Sequence, residues 1–363
     1  MSEETETGAW YAEPGSDNDV VLASRVRLAR NLTQFCFPAS IKSDDAERVQ
    51  SLVFDAFNHL PSADRFQMVR MSNIDSAGRK ILAERGVISS DSGFEPWRAV
   101  LVRNDGVVSA TVNMEDHLRL AVFRPGFNFE SAWDELDNLD GDLQHHLRFS
   151  ALADFGYLSQ NFDSVGTGLR VSALVSLPAL SFTGVLERVI RDLMAQGFLI
   201  RGYYGFGGAE SLGALYQLSN MHCAEGSAAS QLSRMDTTVR KIIELERKSR
   251  EELLNTMPTT IEDIVYRAVV VARYARFIQL NEGVELVSRI KLALNLGLVQ
   301  GVDDSTLTAL LYRVQPAHLN FVLSGGSIII EDDVQGEDRR VERLRAIIIQ
   351  EVLKQMDIRE RKR

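Results

Sequence analysis

The chain has 363 residues, 45% hydrophobic and 25% charged, the make-up of a globular protein long enough for two domains. Its net charge of -10 argues against a general nucleic-acid binder but leaves room for a local basic pocket. Two cysteines, Cys36 and Cys223, exclude a disulfide framework and suit a reducing compartment. No apolar run approaches the roughly 18 residues of a membrane span, and the acidic lead is no secretory signal, so the chain is expected in the cytoplasm, away from membranes.

Residues 1–19 read as a polar lead-in. In the extended stretch that follows, Arg25 and Arg27 alternate with apolar residues and so share one side. Two guanidinium groups on one face either stand in solvent or hold an anion between them. Asp44 and Glu47 predict a capping box for a helix carrying Val49, Leu52, Val53 and Phe57, and a second helix is expected over 76–84. A strand reading over 98–112 contains the turn Asn104-Asp105-Gly106, a hairpin signal.

The stretch Asn113-Met114-Glu115-Asp116-His117-Leu118-Arg119 follows that apolar run. Three ionisable groups and an arginine within seven residues make a costly core, because each buried charge needs a partner. The alternative is a solvated strand end. Residues 120–123 continue extended to a turn at Pro125-Gly126. Residues 130–153 read as an acidic, solvent-facing helix.

Gly166-Thr167-Gly168 reads as a permissive loop whose amides can approach a ligand. Arg170 and a strand through Leu177 come next. A helix with Val185, Leu186, Val189, Ile190 and Leu193 on one face stops at Gly197. The strand that follows ends in Arg201-Gly202-Tyr203-Tyr204-Gly205-Phe206, which reads as a loop over a site. Residues 215–220 form a further strand. From about Ser227 the period is helical: Thr259 and Glu262 predict a cap, helices are expected over 282–296 and 303–313, and a last helix runs over 337–356. The division falls near 225, giving domains 1–225 and 226–363.

These blocks resemble the ATP:guanido phosphotransferase (phosphagen kinase) family, with the closer match in its bacterial protein-arginine kinase branch. The carriers are the segment from Ser24 to Leu32, Asn113-Met114-Glu115-Asp116-His117, Gly166-Thr167-Gly168-Leu169-Arg170, and Arg201-Gly202 with its loop. The helical tail is similar to that branch alone. The resemblance implies an α+β fold, an antiparallel sheet flanked by helices, followed by an all-helical domain that pairs subunits. It implies an ATP site on Ser24, Arg25, Val26, Arg27 and Leu28; on Arg119; on Arg170, Val171, Ser172, Ala173 and Leu174; and on Arg201, Gly202, Tyr203, Tyr204, Gly205 and Phe206. Glu115 matches the catalytic carboxylate. Mg2+ is expected to arrive with ATP, and the implied partners are protein arginine substrates, a second copy of the chain and an activator protein.

The sequence departs from the family at several positions. Met114 stands for the motif's first Glu, Asn161 for a reactive Cys, and Phe206 for a substrate-side carboxylate that Glu210 could replace. Gly86-Val87-Ile88-Ser89-Ser90 stands where the branch has His-Leu-Ile-Ser-Pro, and only Arg345-Ala346 survives of its phosphoarginine-binding motif. The function expected is phosphorylation of arginine residues in proteins. The alternatives are a catalytically impaired nucleotide-binding regulator and a kinase of a small free guanidine.

Overall fold

The computed structural model describes residues 9–204, 211–326 and 328–359. The sheet-bearing half runs β1 (Val21–Arg30), α1 (Ser43–Asn58), β2 (Phe66–Arg70), α2 (Ser76–Glu84), β3 (Ala99–Arg103), β4 (Val108–Val112), β5 (Leu118–Pro125) and α3 (Phe129–Gln144). It continues through two short strands, β6 (Ala151–Leu152) and β7 (Gly156–Tyr157), then β8 (Leu169–Ser176), α4 (Pro178–Phe182), α5 (Leu186–Ala195), β9 (Phe198–Gly202) and β10 (Leu215–Asn220). The helical half follows: α6 (Ala228–Thr256), α7 (Pro258–Tyr274), α8 (Leu280–Asn295), β11 (Val299–Gln300), α9 (Asp304–Arg313), α10 (Pro316–Ser324), α11 (Glu337–Val352) and β12 (Asp357–Ile358).

Eight strands form one sheet in the order β2-β3-β4-β5-β1-β8-β10-β9, with each neighbouring pair antiparallel. Alternation gives the sheet two unlike faces. Val26, Leu28, Leu120, Val122, Val171 and Ala173 are buried on one. α3 packs over β1 and β5, and α6 against β8. The other face carries Arg25, Arg27, Arg119 and Arg170.

Helix starts follow local chemistry. Asp75, Asn128, Ser227 and Asp303 each accept a hydrogen bond from the amide three residues on. Two expected caps are corrected. α1 begins at Ser43 with Lys42 at the cap, which puts Asp44 and Asp45 in the first turn, where they favour the helix dipole. α7 begins at Pro258, whose missing N–H suits the first position, so Thr259 lies inside the helix. The acidic helix expected to run to 153 stops at Gln144. The chain beyond it is drawn back to β1: Ser150 N donates to Asn31 O (2.6 Å), and Leu32 bridges to Phe149.

α6 ties the two halves together. The buried Glu246 carboxylate accepts from Ala179 N and Leu180 N at 3.0 Å each, capping α4. Arg250 binds Glu246 (3.0 Å) and Asp19 (2.9 Å). No helix among the described residues is long and apolar enough to cross a membrane.

Candidate active site

The motif at 113–119 forms the β4–β5 connection, and its residues divide their work. Asn113 takes a positive φ of 54°, which its short polar side chain tolerates. It donates to Ala46 O (2.8 Å) and Trp97 O (2.9 Å). Asp116 is fully buried and accepts from Asn31 (2.8 Å), Ser159 (2.7 Å) and Arg119 (2.9 Å). His117 Nδ1 accepts from Leu32 N (3.1 Å), so Nε2 carries the proton it donates to Cys36 O (2.9 Å). Burial depresses the His117 pKa and keeps the ring neutral, although the Cys36 carbonyl and Asp116 oppose this. Three members of the motif are therefore anchors. Met114 and Glu115 are left to face the open side of the sheet.

Register brings the arginines together there. Arg27 on β1 lies opposite Arg170 on β8, and Arg25 lies opposite Phe123 on β5 and Ser172 on β8. Two adjoining hollows of 790 Å³ and 400 Å³ open over this face. Arg27, Glu115 and Arg119 line both; Arg25 lines the larger, and Arg170 and Arg201 line the smaller. All five arginines expected at the site thus gather around Glu115.

The charge there is frustrated. The Nε atoms of Arg25 and Arg27 are buried without a hydrogen-bond partner. Burial pushes Arg25 down to about 10, with Tyr203 opposing and Arg119 adding to the effect. Burial, then Arg25, Arg119 and Arg170, drive Arg27 well below its ordinary value, against Glu115. Guanidinium does not shed its proton in proteins, so the cluster needs an anion.

Glu115 is 41% exposed, its Oε2 2.6 Å from Arg119 Nη2. Its Oε1 accepts from Asn161 Nδ2 (2.9 Å). Burial alone would raise its pKa, but Arg119, the Asn161 amide and Arg170 outweigh it and hold the carboxyl below the usual value. Asn161 is thus beside the candidate catalytic group.

Other expected site residues behave differently. Ser24, Val26, Leu28, Val171 and Ala173 belong to the strands that carry the arginines, but strand alternation turns their side chains into the core on the opposite face. Ser24 Oγ is spent on Gly126 O (2.8 Å) and Asn128 N (3.0 Å). Ser172, Leu174, Tyr203 and Tyr204 do line the larger hollow, and Gly202 closes β9. Gly205, Phe206 and Glu210 lie outside the described residues.

The loop 166–168 borders the site and also packs: Gly168 lines the smaller hollow, while the neighbouring amides are engaged within the fold. Gly166 N, Thr167 N and Leu169 N already donate to Tyr157 O, Cys223 O and Thr167 Oγ1. A Cβ on Gly168 would stand 2.6 Å from Ala29 O. Sequence reasoning missed Glu84, Arg98, Tyr312 and Gln315 in the lining of the larger hollow. They carry no local motif, and chain folding alone brings them there. Arg343 and Arg345, beside the altered phosphoarginine motif, are engaged internally: Arg343 binds Glu331 (2.6 Å), and Arg345 donates to Val314 O and Ile278 O (2.8 Å each).

A guanidinium-lined hollow with an ionised carboxylate set among its arginines suits phosphoryl transfer, in which positioning and charge neutralisation dominate. Residues 48–249 match the family described as ATP:guanido phosphotransferase, C-terminal catalytic domain, and residues 258–363 match the protein-arginine kinase McsB C-terminal domain. The chain belongs to the ATP:guanido phosphotransferase family.

Among its relatives is a protein-arginine kinase of Geobacillus sp. (strain WCH70), 32% identical over 96% of this chain and 95% of that protein. Another, from Brevibacillus brevis, is 34% identical over 94% and 96%. The duplicated taurocyamine kinase of Schistosoma mansoni aligns with TM-score 0.60 at 18% identity, over 72% of this chain and 40% of that one. A lombricine kinase aligns with TM-score 0.57 at 18% identity, over 67% and 70%. These two structures bear on the fold.

Proposed function

We propose that the protein transfers the γ-phosphoryl group of MgATP to arginine side chains of other proteins. One observation carries this reading: five arginines from four segments meet around Glu115, and two of them have buried Nε atoms without a partner. The name shared by the bacterial relatives, and the match of the helical half, point the same way.

In this reading the triphosphate lies along Arg27, Arg119, Arg170 and Arg201. Mg2+ enters as part of the substrate and neutralises part of its charge. A guanidinium nitrogen of the substrate attacks the γ-phosphorus in line. The P–N bond forms as the bond to the β–γ bridging oxygen breaks, and ADP leaves. Glu115 orients the planar guanidinium and takes the nitrogen's surplus proton. Guanidinium is a very weak acid, so that proton leaves late, once the nitrogen bonds to phosphorus. Asn161 holds Glu115 from one side and Arg119 from the other.

We take residues 1–225 as the catalytic domain and 226–363 as a helical domain that pairs two copies of the chain. Exposed apolar residues on one helix support the pairing, with Val270 51% and Tyr274 74% accessible. A cytoplasmic location suits the two free thiols, Cys36 and Cys223. An activator protein belongs to the same proposal by analogy with the branch.

Incubation with γ-labelled ATP and a generic protein substrate tests the reading. An acid-labile, base-stable label on the protein is expected. Label found only on small guanidines, or no label at all, would overturn it.

A further inference from the structure

One wall of the larger hollow comes from neither the sheet nor its loops. Tyr312, near the end of α9, and Gln315, just before α10, line it beside Tyr203 and Tyr204. Phe123, Leu174 and Ile88 add apolar lining to the same hollow, alongside the polar run Ser89 to Ser92. The arginines Arg27, Arg119, Arg170 and Arg201 stand at the other end, toward the smaller hollow. A nucleoside triphosphate is divided in the same way, into a polyanion and a flat ring system. With its phosphates beside Glu115, its base faces the tyrosines.

The tyrosine wall is braced from behind. Tyr312 stacks on Tyr11 (4.6 Å, 19°) and meets Trp10 edge-on (5.7 Å, 71°). Trp10 stacks on Phe123 (5.0 Å), over which Arg25 sits 4.7 Å from the ring centre. Gln315 Nε2 donates to Leu311 O (2.9 Å), which fixes the amide in the wall. Glu84, at the end of α2, also lines the hollow, and its carboxylate accepts from Ala317 N (2.7 Å) and His318 N (3.1 Å), two amides in the first turn of α10. It latches the corner that carries Gln315 against the cleft. A Cβ placed on Gly86, at φ +70°, would stand 3.8 Å from Arg25 Nη1, so the glycine leaves that space open.

We infer that Tyr312 and Gln315 of the C-terminal helices complete the seat for the nucleotide base, with Glu84 as the positioning residue that holds them there. The Gln315 amide oxygen supplies an acceptor for an amine on the ring, and the tyrosine wall supplies flat apolar surface. The helical half then sets nucleotide affinity as well as pairing subunits. The inference rests on the kinase reading, since it needs the phosphates on the arginines.

Calorimetry of the full chain with MgATP and with magnesium tripolyphosphate separates the two. Tripolyphosphate reports the arginines alone. Tyr312→Leu and Gln315→Ala are expected to weaken MgATP about tenfold, the scale of losing one aromatic or polar base contact, while leaving tripolyphosphate binding unchanged. Glu84→Ala should do the same, and Glu84→Gln, which keeps one acceptor oxygen, should recover part of the loss. If Gln315→Ala and Tyr312→Leu leave the preference for MgATP over tripolyphosphate unchanged, the base seat is elsewhere. If tripolyphosphate does not bind the unmodified chain, the arginine reading itself fails.

Discussion

Arg27 and Arg170 face each other across neighbouring strands, two like charges in direct register over one hollow. Facing cations destabilise a sheet by themselves. Their placement makes sense as a site kept ready for a polyanion.

Removing one of the pair should help the empty protein and harm the loaded one. Arg27→Met keeps the volume and removes a buried cation that lacks a partner at Nε. Replacing buried charge in this way often stabilises by about 1–4 kcal/mol. The ligand-free variant is expected to melt a few degrees higher by calorimetry, while losing the stabilisation that MgATP gives the unmodified protein. A lower melting temperature without ligand would mean that Arg27 is already satisfied.

Glu115→Gln is expected to lower kcat by roughly 100- to 10,000-fold, the usual worth of a positioned general base. Nucleotide affinity should stay within about threefold, because the carboxylate contributes nothing attractive to phosphate. Single-turnover transfer and calorimetry measure the two separately. Transfer at the unmodified rate would remove Glu115 from the mechanism.

The pH profile carries a sign. The Glu115 pKa is depressed below 4.5, so the carboxylate is charged above that value and is lost only as pH falls through its folded value. The acid limb assigned to Glu115 should lie below pH 4.5. Asn161→Ala deletes the hydrogen bond that helps hold it there and should move the limb upward. An unmoved limb would show that Asn161 does not tune this group.

Arg250→Ala should destabilise the fold by about 3–5 kcal/mol, because it strands the buried Glu246 carboxylate without its cation. Denaturant titration measures it. A loss under about 1 kcal/mol would mean that the α4 amides alone suffice for Glu246.

Light scattering at micromolar concentration should give the mass of two chains, with Tyr274→Asp shifting it toward one. A single-chain mass for the unmodified protein would contradict pairing through the helical domain.

Much of the site was legible because it rests on short-range rules. Alternation put Arg25 and Arg27 on one face, and Asp105-Gly106 marked the β3–β4 hairpin. The split of roles within 113–117 was not legible. It depends on Asn31, Leu32 and Cys36, more than eighty residues earlier in the chain. The packing of the glycines at 166 and 168 was hidden for the same reason: their close neighbours are Cys223 and Ala29, visible only once the chain has folded. Tyr312 and Gln315 sit in ordinary helical sequence, and only tertiary contacts, among them those of Tyr11, Trp10 and Glu84, bring them to the cleft.

Isothermal calorimetry of MgATP, with the unmodified protein and with Arg170→Ala, reads the arginine seat itself. Saturable one-site binding, weakened on the order of 100-fold by the substitution, is the predicted result. No binding heat from the unmodified protein, or equal affinity in both proteins, would contradict an arginine seat for the triphosphate.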